Sequence, residues 1–376
     1  MNKMDVREMK HGEKVSLLGF GCMRFPLNMD GSICECEAEA MLDKAIAHGV
    51  NYIDTAYPYH NGDSEPFVGR VLKKYDRSSF YLATKLPMFK IETLDDAKRI
   101  FEEQLQRLDV DNVDFYLLHA MNKDTWEKAK ALGVLEYLDD LKETGKIRNL
   151  GFSFHDEYEV FKEMIDARDW DFCQIQYNYI DRNVQAGDQG YALCAKKQIP
   201  MVIMEPVKGG NLAVLPEDIA EILKKKRPND SISSWALRWV ASHSNVRVIL
   251  SGMSTMQQVE DNLHTFDQLE QLNEEEEQLI EKVANMILER TKNGCTACKY
   301  CMPCPFGIDI PGNFKIWNEY AKYSNKDATK KKLDAMAREA RFDQCKKCGR
   351  CEGLCPQHIA IRDDLEQMKK DLAFFK

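Results

Sequence analysis

Short apolar runs alternate with amphipathic stretches along the first 290 residues of the chain. The runs at 15–21, 50–54, 80–84, 113–119, 147–153, 172–176, 200–204 and 246–250 are too short for buried helices and rich in β-branched and aromatic residues. They predict eight strands. Between them, 37–47, 94–108, 126–143, 157–168 and 231–242 repeat apolar residues at helical spacing. Eight strand–helix units in a segment of this length predict an α/β fold, the (β/α)8 TIM barrel. A doubly wound open sheet is the alternative. It would carry a glycine-rich turn after its first strand, and Gly19-Phe20-Gly21 lacks the third glycine of that turn.

A further helix is expected at 272–290. Asn273 is placed to cap it, and the glutamates at 274–277 fall where the helix dipole favours carboxylates. Residues 291–294 then read as a linker, so the expected division is a barrel over 1–290 and a small, mainly α-helical module over 291–376. In the module, 316–323 and 328–341 read as helices, the second with Leu333, Met336 and Ala337 on one face.

Charge follows the same division. The chain has 376 residues and a formal charge of −9, which argues against a general polyanion binder, so no nucleic acid partner is expected. Residues 1–290 carry 35 Lys and Arg against 50 Asp and Glu; residues 291–376 carry 17 against 11. No apolar run is long enough to insert into a membrane, and the first fourteen residues contain none, so a cytoplasmic protein without an export signal is expected. Eight of the thirteen cysteines lie between Cys295 and Cys355. Clustered cysteines in a cytosolic chain point to metal rather than to a disulfide framework.

Barrel active sites sit at the carboxyl ends of the strands. Those ends here are Asp54, Lys85, His119, Ser153 and Gln174, with Tyr59 five residues beyond Asp54. A tyrosine hydroxyl is a poor acid near neutrality, but an ammonium beside it favours the phenolate and lowers its pKa. Lys85, held by Asp54, is placed to do this, and His119 to hydrogen-bond a carbonyl oxygen. The set suits protonation of a ketone or aldehyde oxygen while hydride arrives at carbon. Taken singly, each of these residues also fits an ordinary structural role. Met23, Phe25, Tyr57, Phe89 and Trp126 are candidates for the substrate pocket, with a plain core role equally open to Phe89 and Trp126.

These segments together resemble the aldo–keto reductase superfamily over roughly residues 10–270. The matching pieces run from Leu18-Gly19-Phe20-Gly21-Cys22-Met23-Arg24 through Asp54-Thr55-Ala56 with Tyr59, Ser64-Glu65 before Gly69, Ala83-Thr84-Lys85 and Leu117-Leu118-His119. They continue with Gly145-Lys146-Ile147-Arg148 into Gly151-Phe152-Ser153, Gln174 with Tyr177-Asn178, Glu205-Pro206 with Gly209-Gly210, and Gly252 through Gln258 to Asn262. The resemblance implies Tyr59 as general acid, Lys85 and Asp54 as the pair that tunes it, and His119 as the residue orienting the carbonyl. It also implies a nicotinamide cofactor across the barrel mouth. Its contacts would come from Met23, Arg24, Asp54, Ser153, Gln174, Met204, Pro206, Val207, Gly209, Ser251, Gly252, Gln258 and Asn262. Ser153 and Gln174 would hold the carboxamide. Three positions depart from the family: Phe154 stands where Asn is frequent, Met204 replaces the stacking tyrosine, and Gln258 falls where an arginine often grips a 2′-phosphate. The choice between NADH and NADPH therefore stays open, with Arg24 and Arg247 as alternative cations.

In the module, Cys295, Cys298, Cys301 and Cys304 follow one another at two-residue gaps, and Pro305 comes next. Cys345, Cys348 and Cys351 repeat those gaps, then Cys355 follows after three residues, with Pro356 after it. Such runs hold two [4Fe–4S] clusters in ferredoxins, the last cysteine of each run serving the other cluster. One cluster is thus assigned to Cys295, Cys298, Cys301 and Cys355, the other to Cys345, Cys348, Cys351 and Cys304. Two zinc sites are the alternative, but paired zinc knuckles leave no reason for a third cysteine in each run. The long spacer resembles that of α-helical ferredoxin domains attached to larger oxidoreductases. Lys346, Lys347 and Arg350 read either as solvated surface or as charges that raise the cluster potential or attract an acidic partner.

The expected activity is NAD(P)(H)-dependent carbonyl reduction or alcohol oxidation, with the clusters exchanging electrons with a ferredoxin, flavodoxin or flavoprotein. Hydride moves as a unit whereas clusters pass single electrons, and a flavin normally converts between them. No flavin motif is readable, so a flavin at an unmarked site, a flavin on a partner, and clusters outside turnover all stay open. The alternative is that the clusters are structural or docking elements and the barrel an ordinary carbonyl reductase or a nucleotide-sensing subunit.

Overall fold

The computed structural model describes residues 4–267 and 269–375. Its strands are β1 (Val6–Glu8), β2 (Lys14–Ser16), β3 (Leu18–Gly21), β4 (Tyr52–Asp54), β5 (Tyr81–Leu86), β6 (Val113–Met121), β7 (Ile147–Phe154), β8 (Phe172–Gln176), β9 (Met201–Met204) and β10 (Val246–Ser251). Strands β3 to β10 close into a parallel barrel in the order β10-β3-β4-β5-β6-β7-β8-β9. This is the expected (β/α)8 architecture rather than an open sheet. The apolar run at 15–21 divides at Leu17: its first part pairs with β1 in an antiparallel hairpin, its second enters the barrel.

The barrel interior is apolar at its lower end. Tyr52, Ala83, Phe115, Leu117, Phe172, Val202, Val248 and Leu250 pack together, and Met9 and Val15 of the hairpin join them. The hairpin is tied to the amino ends of the strands. Arg7 donates to the carbonyls of Ala241, His243 and Val246, and the Tyr81 hydroxyl accepts from the Lys14 amide at 3.2 Å. The polar ends of the strands are left at the opposite, open end.

The helix expected at 126–143 is two helices, Lys123–Ala131 and Val134–Glu143, because Gly133 turns left-handed at φ 69°. Gly69, in the helix Ser64–Leu72, lets that helix approach its neighbour closely. A Cβ there would lie 2.6 Å from the Leu108 carbonyl oxygen.

Contacts divide the chain into two compact units. One holds the chain up to Gly209 with Ser234–Glu274; the other holds Gly210–Ser233 with the residues from Glu275 onward. The helices Glu217–Lys226 and Glu274–Glu289 thus fall mainly with the cysteine-bearing segment, where Arg290 donates to Asp218. The second unit has its own apolar core of Ile308, Ile310, Phe314, Ile316, Trp317, Leu333, Ile361, Leu365, Met368 and Leu372. Those residues come mostly from the helices Ile310–Tyr323, Lys326–Ala335 and Ile361–Asp371. The helix expected at 328–341 ends at Ala335, and a short 3-10 turn, Arg338–Ala340, follows. Among the described residues, no helix is long and apolar enough to cross a membrane.

Candidate functional site

At the open end of the barrel lies a cavity of about 550 Å³. The parallel register delivers its charged residues: Asp54 ends β4, and Lys85 is the penultimate residue of the adjacent β5. The Lys85 ammonium donates to Asp54 Oδ1 at 2.6 Å and to the Thr55 carbonyl at 2.7 Å, and both side chains are buried. A buried ammonium is costly unless paired. Burial lowers the Lys85 pKa, but Asp54 and Tyr59 outweigh it and hold it above its usual value.

The Lys85 nitrogen stands 4.9 Å from the centre of the Tyr59 ring, which meets His119 edge-on at 5.9 Å. Tyr59 is where the sequence-based expectation needs correcting. Lys85 does pull its pKa down, but burial is the larger effect, and the phenol lies above its ordinary value. Tyr59 therefore keeps its proton at neutral pH. For His119, burial first, then Lys85 and His155, push the pKa down to about 3. The imidazole is neutral across the physiological range, and its Nδ1 is buried without a partner.

Beneath these groups lies a buried polar layer that sequence reasoning missed. Glu65 Oε1 accepts from Thr84 at 2.6 Å and from Gln104 at 2.7 Å. Gln104 also donates to the Lys85 carbonyl at 3.1 Å and accepts from the Tyr116 hydroxyl at 2.7 Å. This layer fixes the end of β5 from behind. Glu65 and Thr84 fall in matching pieces of the sequence, but their meeting with Gln104 and Tyr116 joins separate strands and helices and no local motif announces it.

Met23, Arg24, Asp54, Ser153, Gln174, Met204 and Gly252 all line the cavity, as does Tyr59 with His119. Ser153 Oγ accepts the Ala120 amide at 2.8 Å. Gln174 donates to the Met204 sulfur at 3.4 Å, while its Oε1 is buried without a partner. An orphaned acceptor beside Ser153 fits a ligand with an amide N–H, as a nicotinamide carboxamide has. Pro206, Val207, Gly209, Ser251, Gln258 and Asn262 are not among the lining residues. Ser251 Oγ instead accepts from Asn262 at 2.7 Å, and Gln258 accepts the Ser254 amide at 2.7 Å.

The loop carrying Pro206, Val207 and Gly209 is held from below. Buried Asp181 accepts both Lys208 at 2.6 Å and Gln176 at 2.7 Å, and Asn178 donates to the Glu205 carbonyl at 3.1 Å. The backbone of Glu205, Lys208 and Gly209 is left-handed. His60, Asn61, His155 and Glu205 also line the cavity, and none was singled out from the sequence as a site residue. Glu205 lies in the matching piece Glu205-Pro206 without a role of its own, and the local signal for His60 and Asn61 is the loop chemistry at Asn61-Gly62, where both are left-handed at φ 51° and 56°.

Other pocket candidates lie elsewhere. Trp126 is core, donating to Glu163 at 2.8 Å. Phe25 is buried against His60 and Phe67, and Tyr57 packs on Arg107 and donates to Glu103. Phe89 faces His119 with ring centres 5.8 Å apart. Arg24 is at the mouth, 3.7 Å from Glu205. Arg247 is at the amino end of β10, donating to the Ser244 carbonyl, and is thus on the wrong side of the barrel for a cofactor.

In the second unit, Cys295, Cys298, Cys301 and Cys355 line one small cavity, walled by Ile310, Pro311, Phe314, Ile359 and Ile361. Burial raises the Cys301 pKa, and the other three thiols add to it. Four thiols in an apolar wall fit a cluster held by sulfur. Cys304 is not in that cavity; it packs on the apolar core of the unit, as do Cys295, Cys301, Cys345, Cys351 and Cys355. Burial, then Glu352, Cys345 and Cys348, push the Cys351 pKa to about 11. The Lys347 amide donates to Cys345 Sγ at 3.4 Å. Among the described residues no three His, Cys, Asp or Glu side chains converge on a single-ion site.

Residues 17–285 match the aldo/keto reductase family. The chain belongs to that family. The reductase carries in addition a 4Fe-4S dicluster domain, matched over residues 294–360. It is similar to L-galactose dehydrogenase of Arabidopsis thaliana, 28% identical, over 78% of this chain and 97% of that protein. It is also similar to the NADH-specific methylglyoxal reductase of Escherichia coli, 25% identical, over 57% and 78%. Among solved structures, an aldo-keto reductase from Bacillus halodurans in its holo form superposes with a TM-score of 0.63 at 28% identity. That likeness covers 74% of this chain and 96% of that one. The reductase is therefore an oxidoreductase by family, on an aldo-keto reductase barrel joined to a ferredoxin-type domain.

Proposed function

We propose that the reductase interconverts a small aldehyde or ketone and its alcohol at the barrel mouth, and that its second unit holds two [4Fe–4S] clusters exchanging single electrons with a partner. The observation that carries the first half is the convergence of Tyr59, the Lys85–Asp54 pair and His119 on one cavity. A nicotinamide bound there supplies or accepts the hydride at carbon. Tyr59 gives its proton to the carbonyl oxygen. The Lys85 ammonium, kept charged by Asp54, stabilises the phenolate left behind. His119, neutral above about pH 3, donates one N–H to the same oxygen without competing as an acid. In the oxidising direction Tyr59 takes the alcohol proton back.

Ser153 and the orphaned Gln174 oxygen are assigned to the carboxamide. NADH is the favoured form: residues 251–262 contain no Lys or Arg, and Gln258 is committed to the Ser254 amide. The test is Tyr59→Phe. Turnover should fall by about 10²–10⁴ with nicotinamide binding unchanged; full turnover would overturn the acid assignment.

The cluster half rests on the shared cavity of Cys295, Cys298, Cys301 and Cys355, with Cys345, Cys348, Cys351 and Cys304 assigned to the second cluster. The clusters supply one-electron capacity. Communication with the barrel is read by adding NADH to the anaerobic protein and following the visible cluster band, with dithionite as control. Bleaching by NADH supports communication between the hydride site and the clusters through a flavin on this chain. Bleaching by dithionite alone favours clusters fed by a partner or standing outside turnover.

A further inference from the structure

The helix Ile310–Tyr323 carries two asparagines, and each holds the approach to one cysteine run. Asn318 holds the first. Its Oδ1 accepts the amides of Lys292 and Asn293 at 2.8 and 3.2 Å, and its Nδ2 donates to the Asn293 carbonyl at 3.1 Å. Asn293 in turn accepts the Cys295 amide through Oδ1 at 3.3 Å and donates from Nδ2 to Asp364 Oδ2 at 2.9 Å. Asp364 belongs to the helix Ile361–Asp371, so the start of the first run hangs on two helices.

Asn313 holds the second run and is buried. Its Nδ2 donates to the carbonyls of Asp309 and Ala340 at 2.6 and 2.7 Å, and its Oδ1 accepts the Phe342 amide at 2.9 Å. The Phe342 carbonyl then accepts the Cys345 amide at 3.3 Å. The two arrangements match step for step. An asparagine of the helix holds a residue ahead of the run, and that residue accepts the amide of the run's first cysteine. Positions five apart on a helix point about 140° apart, which lets one helix serve two loops. Phe314, one turn before Asn318, and Ile361, one turn before Asp364, wall the cavity of Cys295, Cys298, Cys301 and Cys355. Side chains one turn apart share a helix face, so the faces that wall these thiols also carry the groups that hold their loop.

Hydrogen bonds behind a ligand set orient it and change how tightly the bound group is held. We infer that Asn318 and Asn313 are positioning residues, one for each iron–sulfur cluster. Asn318 sets the loop of Cys295, Cys298 and Cys301; Asn313 sets the loop of Cys345, Cys348 and Cys351. The inference rests on the proposed pair of clusters and adds a division of labour: each cluster is lost through its own asparagine, without the other.

The experiment uses the full chain prepared without oxygen. Iron and acid-labile sulfide are counted, and the dithionite-reduced protein is examined by electron paramagnetic resonance. Cys298→Ser and Cys348→Ser supply reference spectra lacking the first and the second cluster. Asn318→Leu should lower iron from about eight toward about four per chain and give the spectrum of Cys298→Ser. A chelator should remove its first cluster at a concentration about 10–10² lower than in the parent protein. Asn318→Asp keeps the acceptor for both amides and should restore most of that cluster. Trp317→Phe removes the bond from Trp317 to Asp371 on the same helix; it controls for a general loss of packing and should keep both clusters. Because Asn313 is buried, Asn313→Ser is read as the order of loss under chelator, and the second cluster must go first. An Asn318→Leu protein that keeps both clusters, loses both, or loses only the second overturns the inference. A parent protein holding zinc, or no labile sulfide, sinks the cluster reading itself; two clusters that always leave together sink the positioning alone.

Discussion

The barrel mouth and the cysteine loops solve the problem of holding reactive groups in opposite ways. At the mouth, each group is placed by strand register and locked from behind: Lys85 by Asp54 and the Thr55 carbonyl, the end of β5 by Gln104. The site exists before anything binds. The cysteines sit on short loops with left-handed residues at Ala297, Lys299 and Lys347. Where a sheet positions the chemistry, ligand binding finds a finished site. Where loops position it, the bound group supplies part of the free energy that orders them.

The strongest way to break this comparison is to remove iron. Chelation under reducing conditions should leave nicotinamide affinity within about twofold, while the second unit loses protease resistance and helical signal, because its small core leans on six of the eight thiols. Equal loss at both sites would abolish the distinction. Next comes Lys85→Met. It strands the buried Asp54 carboxylate, so stability should drop by about 3–5 kcal/mol, and Tyr59 loses the charge that stabilises its phenolate. Denaturant unfolding and single-turnover rates check the two effects separately.

A smaller effect tests how dry the mouth is. His119 is held to about 3 in the fold, against about 6.5 when unfolded. Between those values the unfolded chain binds the extra proton, so stability contributed by neutral His119 is present above about pH 6.5 and declines as pH falls toward 3. His119→Asn should flatten that part of the pH–stability curve, and the profile of kcat should show no histidine inflection near neutrality. The smallest expected effect concerns the loop 205–209. Asp181→Asn loosens Lys208, and should raise the nicotinamide KM about tenfold, or about 1.4 kcal/mol, with little change in kcat. Fluorescence titration of nicotinamide binding in the same variant should show the same tenfold.

What was legible in the sequence was whatever a single element carries. Each barrel strand announces itself by composition, and Asp54, Lys85, His119, Ser153 and Gln174 announce themselves by lying at or within two residues of the carboxyl end of one. The cysteine runs are readable because ligand spacing is a local property. What was not legible depends on several elements at once. Gln104, Tyr116 and Glu65 meet only after a helix, a strand and a second helix are packed. The direction of the Tyr59 pKa turned on burial outweighing a neighbouring ammonium, a balance that needs the cavity and not the motif. The break at Gly133 was missed because apolar periodicity runs through it, while the backbone there turns left-handed. Trp126 was open to either role by pattern, and packing decided for the core.

The hairpin of β1 and β2 makes the barrel a cup rather than a tube. With Met9 and Val15 seated among the interior side chains, the lower end is stoppered by hydrocarbon. The cavity mouth that substrate and product use is also open to a proton bound for Tyr59. On the proposed mechanism the phenolate formed in each reducing cycle is recharged from bulk water through that mouth once the product has cleared it. Departure of the alcohol and restoration of the acid then become a single kinetic event, visible as a solvent isotope effect on product release.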